Sequence, residues 1–408
     1  MSDIKRIAVN SIAYLMKKFP IVAILGARQV GKTTLLHQIL PSAPFFDLES
    51  EADYDRIKSD PEFFLSQYEE TIILDEAQLC PELFPSLRVA VDKRRKHNGQ
   101  YLLSGSSSPL LLKNLSESLA GRIAIFELSP LHIQECWTSA STLYDWLAEG
   151  KVKNYDKLKV TWSWDQLLQS CFYGGFPDPF LQRKDHRYFS LWMSNYFKTY
   201  IDRDIRKLFP GLNIEAYRRF IKMLGSSSGH IFKASDFSKS LDVSEPTIKT
   251  YLEIAEGTFL WRNIPSFQKN TRKRLVKMPK GHIRDTGMIN YLLNITNCEN
   301  LREHPLFGTI WELFVIEQVI RGLQAKLIDF RYFYYRTHNQ AEIDLVLEGT
   351  FGIIPIEIKL GLRIDQRRLF TLEQFIKEYR CPFGLIISNT EKPQLLSPRI
   401  IHVPAGCL

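Results

Sequence analysis

Three short stretches hold side chains that could do chemistry on a phosphate. The first is Gly26-Ala27-Arg28-Gln29-Val30-Gly31-Lys32-Thr33-Thr34, in which two glycines bracket a loop that ends in an ammonium and two hydroxyls. Glycine lets backbone N–H groups turn inward onto an anion. A lysine at that point can reach the outer phosphates, and the hydroxyl after it can ligate Mg2+. All nine are candidate nucleotide-binding residues; Thr33 is also a candidate metal ligand, and Thr34 reads as structural. The second stretch, "TIILDEAQ" (71–78), is an apolar run ending in Asp75 and Glu76. Asp75 would hold Mg2+, and Glu76 would polarise an attacking water. The third, "YLLSGSSS" (101–108), ends in small polar residues. Ser106, with Ser104 as the alternative, would place a polar group near a γ-phosphate.

These side chains need elements to hold them. The pattern G-x-x-x-x-G-K-[ST] also occurs by chance, so its context decides. Ahead of it, "IVAIL" (21–25) is a continuous apolar run, as expected of a strand buried on both faces. Behind it, "KTTLLHQIL" (32–40) places Leu35, Leu36, Ile39 and Leu40 on one helical face. "FFDLES" (45–50) reads as a further strand. Strands alternating with helices predict a parallel α/β sheet with crossover helices, the setting a P-loop requires.

A second candidate site lies in the final third. "QAEIDLVLE" (340–348) alternates like a strand and contains Asp344. "GIIPIEIKLG" (352–361) reads as a second strand, with Glu357 and Lys359 two residues apart on one face. Antiparallel pairing would gather all three. The preceding helix "GTIWELFVIEQVI" (308–320) offers Glu312, and the amphipathic "RRLFTLEQFIKEYR" (367–380) follows. This D…E-x-K arrangement resembles the PD-(D/E)XK nuclease superfamily. The resemblance implies a restriction-endonuclease-like α/β domain in which Asp344, Glu357 and Glu312 hold Mg2+ or Mn2+ and Lys359 positions or activates water.

Between the two sites, "LGSSSGH" (224–230) signals a boundary. The segment after it reads as a helix from about Ser235, a turn at 242–244, a second helix over Glu245 to Glu256, and two short strands. That is the layout of a winged helix-turn-helix. Thr247, Lys249 and Thr250 would face bases, although Glu245, Glu253 and Glu256 on the same helix would repel phosphates. "QKNTRKRLVKMPK" (268–280) is the most basic stretch and a candidate contact for DNA or RNA. "YIDRDI" (200–205) lies in a charged helix.

The bulk numbers frame this reading. A chain of 408 residues is long enough for several domains, and its net charge of +8 is compatible with an anionic partner. None of the six cysteines forms a C-x-x-C pair, which argues against a zinc ribbon or a disulfide framework. No apolar run is long enough to span a bilayer. A cytoplasmic protein is expected.

Taken together, "GARQVGKTTLL", "ILDEAQ", "LLSGSSS" and "LAGRIAIFELSPLHIQE" resemble a prokaryotic family of AAA-type ATP-binding proteins with a C-terminal domain of unknown function. The resemblance implies ATP as the nucleotide, and no N-K-x-D stretch points to GTP. It also nominates Arg122, in "AGR", as an arginine finger acting in cis or from a neighbouring copy in a homo-oligomer. The expected organisation is an ATPase domain over 1–137, a helical lid region over 138–225, a winged-helix-like module over 226–280 and a nuclease-like domain over 281–408. Two functions fit. One is a Mg2+-dependent ATPase coupled to nucleic-acid processing; the other is an ATP-driven switch whose nuclease-like domain only binds.

Overall fold

The computed structural model describes residues 4–106, 118–268, 278–337 and 341–408. Ser107, Ser108, Gln340 and residues 269–277 of the basic tract lie outside the described residues. The chain divides into two compact units, Met1–Pro130 with Gly257–Phe259, and Leu131–Glu256 with Leu260–Leu408.

The first unit is built on β1 (Ile21–Gly26), β2 (Phe45–Asp47), β3 (Ile72–Asp75), β4 (Tyr101–Ser106) and β5 (Ile123–Glu127). All neighbours pair in parallel, in the order β2-β3-β4-β1-β5. Every residue of β1 and β3 is buried. That is why these strands read as unbroken apolar runs and not as alternations. Helices α1 (Ala8–Met16), α2 (Lys32–Ile39), α3 (Glu51–Ser59), α4 (Pro61–Ser66) and α5 (Leu83–Lys93) accompany the sheet. Leu83, Phe84 and Leu87 of α5 join Leu74 and Leu103 of the sheet in one core. Asp60 starts α4 by accepting the Phe63 N–H at 2.9 Å, with Pro61 at the first helical position. Because the strands are parallel, all their C-terminal ends share one edge, and ligands bind at that edge in such sheets.

The second unit is one compact body, although three separate regions were expected after the ATPase. Helix α6 (Trp164–Tyr173) leads into the paired glycines. Gly174 has φ +70°, and a side chain there would run into Asp285. Gly175 donates its N–H to Asp285 Oδ2 at 2.8 Å. The "YGG" and "RDTG" segments are thus fitted to each other, and no side chain larger than hydrogen suits that fit. "YIDRDI" forms a π-helical turn, Tyr200–Ile205, and Asp202 pairs with Arg218 at 2.5 Å.

Helix α7 (Ile214–Ser227), β6 (His230–Ile231), α8 (Ala234–Leu241), α9 (Glu245–Gly257), β7 (Trp261–Ile264) and β8 (Lys280–Ile283) follow. The strands form a sheet in the order β6-β8-β7. β7 lies where two short strands were expected, and β8 comes later, at the end of the basic tract. Ile248, Tyr251 and Leu252 of α9 are buried, whereas Glu245, Lys249, Thr250 and Glu253 are exposed.

Helices α10 (Thr286–Leu292) and α11 (Phe307–Ala325) precede β9 (Phe330–Arg336), β10 (Glu342–Gly349) and β11 (Gly352–Ile358). Helix α12 (Gln366–Tyr379) and strands β12 (Gly384–Ser388), β13 (Gln394–Ser397) and β14 (Ile400–Pro404) complete the chain. The mixed sheet has the order β13-β14-β12-β11-β10-β9. β9, β10 and β11 pair antiparallel, while β12 runs parallel to β11 and β14 parallel to β12. Phe375 and Ile376 of α12 pack on Ile343, Val346 and Ile386 of this sheet. A buried ionic knot ties α11 to β7 and β8. Glu317 lies 2.6 Å from Arg262 Nε, 2.9 Å from His282 Nε2 and 3.2 Å from Arg321 Nε.

Among the described residues all six cysteines are free, and no helix is long and apolar enough to cross a membrane.

Candidate functional site

The loop after β1 has the backbone of an anion cradle. Gln29 and Gly31 both take left-handed conformations, with φ +60° and +90°, on either side of the buried Val30. Alternation of this kind turns successive N–H groups inward, and Gly31 then starts α2, whose N-terminus adds a favourable dipole. A Cβ on Gly26 would strike the Leu128 carbonyl, so only glycine fits there. Arg6, which motif reading missed, braces the loop. It donates to Val30 O and to Ser129 O, each at 2.7 Å.

Side chains converge above that loop. Lys32 Nζ donates to Ala27 O at 3.1 Å and Gly26 O at 3.3 Å, and lies 3.9 Å from Glu76 Oε1. Thr33 Oγ1 donates to Asp75 Oδ2 at 2.7 Å. The Ser104 hydroxyl donates to the other oxygen, Asp75 Oδ1, which also accepts the Glu76 N–H at 3.1 Å. Ser106 Oγ donates to Glu76 Oε2 at 2.7 Å, and its N–H donates at 3.2 Å. Gln78, a second residue the motifs did not single out, also donates to Glu76 Oε2. Burial, the largest single influence, pushes the Glu76 carboxyl up. Lys32, Gln78 and Ser106 together outweigh it, so the group sits below the usual carboxylate range and is ionised at neutral pH. The two serines therefore divide the work: Ser104 holds Asp75 and Ser106 holds Glu76. Thr34 is exposed on α2.

Arg122 is placed elsewhere. It precedes β5, and its carbonyl accepts the Ile21 N–H at the start of β1. Its guanidinium makes a two-pronged pair with Asp92 of α5, both contacts at 2.9 Å. β1 carries the chain from that edge to the cradle, about 17 Å at 3.3 Å per residue. The expectation that Arg122 meets its own chain's γ-phosphate is corrected by this topology. Arg28, inside the cradle loop, pairs instead with Glu49 at 2.8 Å.

In the second unit the C-terminal side chains also meet. Asp344 lies one step beyond the Leu345↔Ile356 pair, opposite Glu357. The β9–β10 register shifts between Ile343 and Val346, a bulge that re-aims Asp344. Asp344 Oδ2 accepts the Ile358 N–H at 2.7 Å. Glu357 Oε1 lies 2.7 Å from Lys359 Nζ and 3.3 Å from Arg368 Nη1. Glu312 Oε1 is 3.9 Å from Lys280 Nζ, and Lys280 also pairs with Glu342. Burial and then Asp344 push Glu312 up to about 8 and Glu357 up to about 7, and burial also raises Asp344. Hard oxygen donors are present, but among the described residues no group of three or more acidic, histidine or cysteine side chains is arranged to hold a metal ion. Lys280, Lys359, Arg368 and a main-chain amide engage the three carboxyls expected to form a centre, Glu312, Asp344 and Glu357. Lys280, Glu342 and Arg368 carry no spacing signal in the sequence. Only the fold brings them to the cluster.

Three regions match known families: an AAA domain over residues 18–137, a domain of unknown function (DUF8612) over 165–299, and another (DUF4143) over 307–408. The chain is 34% identical over 357 residues to the uncharacterized protein Rv2008c of Mycobacterium tuberculosis, and equally to Mb2031c of Mycobacterium bovis. That match covers 87% of this chain and 74% of each relative. A solved structure similar to it is the Walker-type ATPase PABY2304 of Pyrococcus abyssi. It is 16% identical, with 70% of this chain and 94% of that chain covered, at a TM-score of 0.44.

Proposed function

The chain belongs to the family of these two mycobacterial proteins and is an AAA-type ATPase, and from that premise we propose that ATP hydrolysis drives a C-terminal nuclease-like domain acting on nucleic acid. The observation that carries the hydrolytic half is the 2.7 Å contact of Thr33 with Asp75, beside Lys32 and Glu76. A hydroxyl and a carboxylate meeting there suit Mg2+, and Thr33 and Asp75 are the residues that would hold it. When bound, the ion neutralises charge on the phosphates. The N–H groups of residues 26–34 and the Lys32 ammonium bind the phosphate tail. Glu76, kept anionic, accepts the proton of the attacking water, while Ser106 and Gln78 fix its orientation.

The nuclease-like half draws support from element order. A helix, three antiparallel strands, a helix and a parallel strand (α11 to β12) are what the PD-(D/E)XK reading asks for. Asp344, Glu357 and Lys359 share one cluster there. The cleavage reading rests on this carboxylate–lysine set; the arrangement does not fit a ready metal centre. That misfit favours a second reading, in which the domain binds a partner without cutting and the ATPase acts as a switch. The exposed Glu245 and Glu253 on α9 point the same way for the winged helix.

One preparation separates the two. Phosphate release from ATP and the integrity of labelled single- and double-stranded DNA and RNA are followed with Mg2+ or Mn2+, for wild type, Lys32→Ala and Glu357→Ala. Cleavage by wild type that Glu357→Ala loses supports the nuclease. Phosphate release without cleavage, lost in Lys32→Ala and kept in Glu357→Ala, leaves the switch. Sedimentation with and without ATP reads the oligomeric state in either case.

A further inference from the structure

We propose that Arg28 is a catalytic residue of the ATPase, its guanidinium moving from Glu49 to the γ-phosphate of ATP bound in the same chain. The inference rests on the ATPase assignment and goes beyond the cradle residues by giving one of them a role in turnover.

Position is the first argument. Arg28 lies within the cradle loop, between Gly26 and the left-handed Gln29. Reach is the second. Arg28 follows β1 and Glu49 follows β2, and the sheet order β2-β3-β4-β1-β5 sets those strands three steps apart. At about 4.8 Å per step that is roughly 14 Å. Their side chains nevertheless meet at 2.8 Å, so the pair spans the edge where β4 presents Ser104 and Ser106 and β3 presents Asp75. The far end is anchored beside the chemistry. Leu48 donates its N–H to Asp75 O at 3.1 Å, and the Glu49 N–H is held by Asp47 Oδ1 at 2.9 Å.

Charge and chemistry give the direction of the move. The Glu49 side chain is 43% exposed and that of Arg28 27%, so solvent screens their attraction and the pair is weak. A γ-phosphate carries more charge than one carboxylate and offers three oxygens to a forked donor. Lys32 supplies a single ammonium, and Arg122 lies on the opposite edge. In the transition state charge spreads over the equatorial oxygens, where a second cation is worth most. ADP lacks the oxygens that would draw Arg28 away from Glu49, so the same contact distinguishes the two nucleotides.

The test uses the full chain with Mg2+ and four variants: Arg28→Ala, Arg28→Lys, Glu49→Gln and Lys32→Ala. Steady-state hydrolysis, affinities for fluorescent ATP and ADP analogues, and melting temperatures are measured. Arg28→Ala is expected to lower kcat by about 10²–10³-fold, in line with loss of a donor to developing charge. Its preference for ATP over ADP is expected to fall by about tenfold, with ADP affinity held. Arg28→Lys restores little, because the fork is lost. Glu49→Gln weakens the hold on the arginine and tightens ATP but not ADP. Lys32→Ala weakens both nucleotides, so a failed cradle looks different from a failed Arg28 assignment. The proposal is overturned if Arg28→Ala melts like wild type and keeps kcat, or loses ATP and ADP affinity in equal proportion. If Arg28→Ala does not fold, an unchanged ATP-to-ADP preference in Glu49→Gln overturns it.

Discussion

Replacing Glu312 by glutamine should stabilise the second unit strongly at pH 8 and only slightly at pH 5. Burial and then Asp344 hold this carboxyl at about 8 in the folded chain, against an ordinary 4.5. The folded state therefore binds the proton more tightly than the unfolded state does. The stability this gives is fully present below about pH 4.5 and drains away as the pH climbs to about 8. The gap between 4.5 and about 8, at 1.36 kcal/mol per unit, caps the loss at about 5 kcal/mol. The side chain remains 24% exposed, so solvent trims the effect to about 2–4 kcal/mol. Glutamine keeps the shape and removes the charge. Domains of this size shift by about 2–4 °C per kcal/mol, so Glu312→Gln should melt roughly 5–10 °C higher at pH 8. Scanning calorimetry from pH 5 to 8.5, following the transition of the second unit, reads this directly. An equal gain at pH 5 and pH 8 would mean the substitution acts through packing. A loss at pH 8 would mean the Lys280 contact outweighs burial, and either result refutes the reasoning. A destabilising carboxyl that a protein nonetheless keeps is a mark of a functional site.

Glu317→Gln should act in the opposite sense. It leaves Arg262 and Arg321 buried against a neutral partner, and a cost of about 3–5 kcal/mol is expected, read as a lowered denaturant midpoint. Ser106→Ala removes a hydroxyl that holds the Glu76 carboxyl down, so that carboxyl rises and the acid limb of the kcat–pH profile should move to higher pH. An unmoved acid limb would place Ser106 outside the proton-transfer step. Gly174→Ala, at φ +70° against Asp285, should unseat the contact between the "YGG" and "RDTG" segments and lower both soluble yield and melting temperature.

What was legible in the sequence is what must be local. Phosphate binding needs a bent loop, an ammonium and a hydroxyl in immediate succession, so Gly26 to Thr34 announced itself. Strands buried on both faces left apolar runs at 21–25 and 72–74 that the sequence pattern could find. Asp344, Glu357 and Lys359 were readable because two strands and a two-residue period suffice to bring them together. What was not legible depends on pairing at long range. Lys280 stands 32 residues before Glu312 in sequence and reaches it only because β8 lies near α11. The Glu317 knot draws on β7, β8 and α11. The own-chain alternative for Arg122, as distinct from its action on a neighbouring copy, fails for a related reason. A glycine–arginine pair after a polar strand resembles a finger, but in a parallel sheet the residue ahead of a strand sits on the edge away from the ligand.

The two carboxylate sites are built on opposite electrostatic plans, and that contrast bears on how the units would work. At Glu76 a lysine and three donors overcome burial, so the carboxylate stands ready to take a proton without outside help. At the C-terminal cluster Glu312, Glu342, Asp344 and Glu357 face Lys280, Lys359 and Arg368, and burial pushes the Glu312, Asp344 and Glu357 carboxyls toward their protonated forms. Such a cluster keeps its balance by holding a proton. Whatever engages it must either bring positive charge or displace one of its own cations. A nucleic-acid phosphate brings negative charge, so its approach would be opposed at high pH and eased by an accompanying cation. Binding of single-stranded DNA or RNA by the second unit should therefore weaken between pH 6 and 8.5 in wild type and lose that dependence in the Glu312→Gln, Glu357→Gln double variant. A pH dependence that survives in the double variant would separate nucleic-acid binding from this cluster altogether.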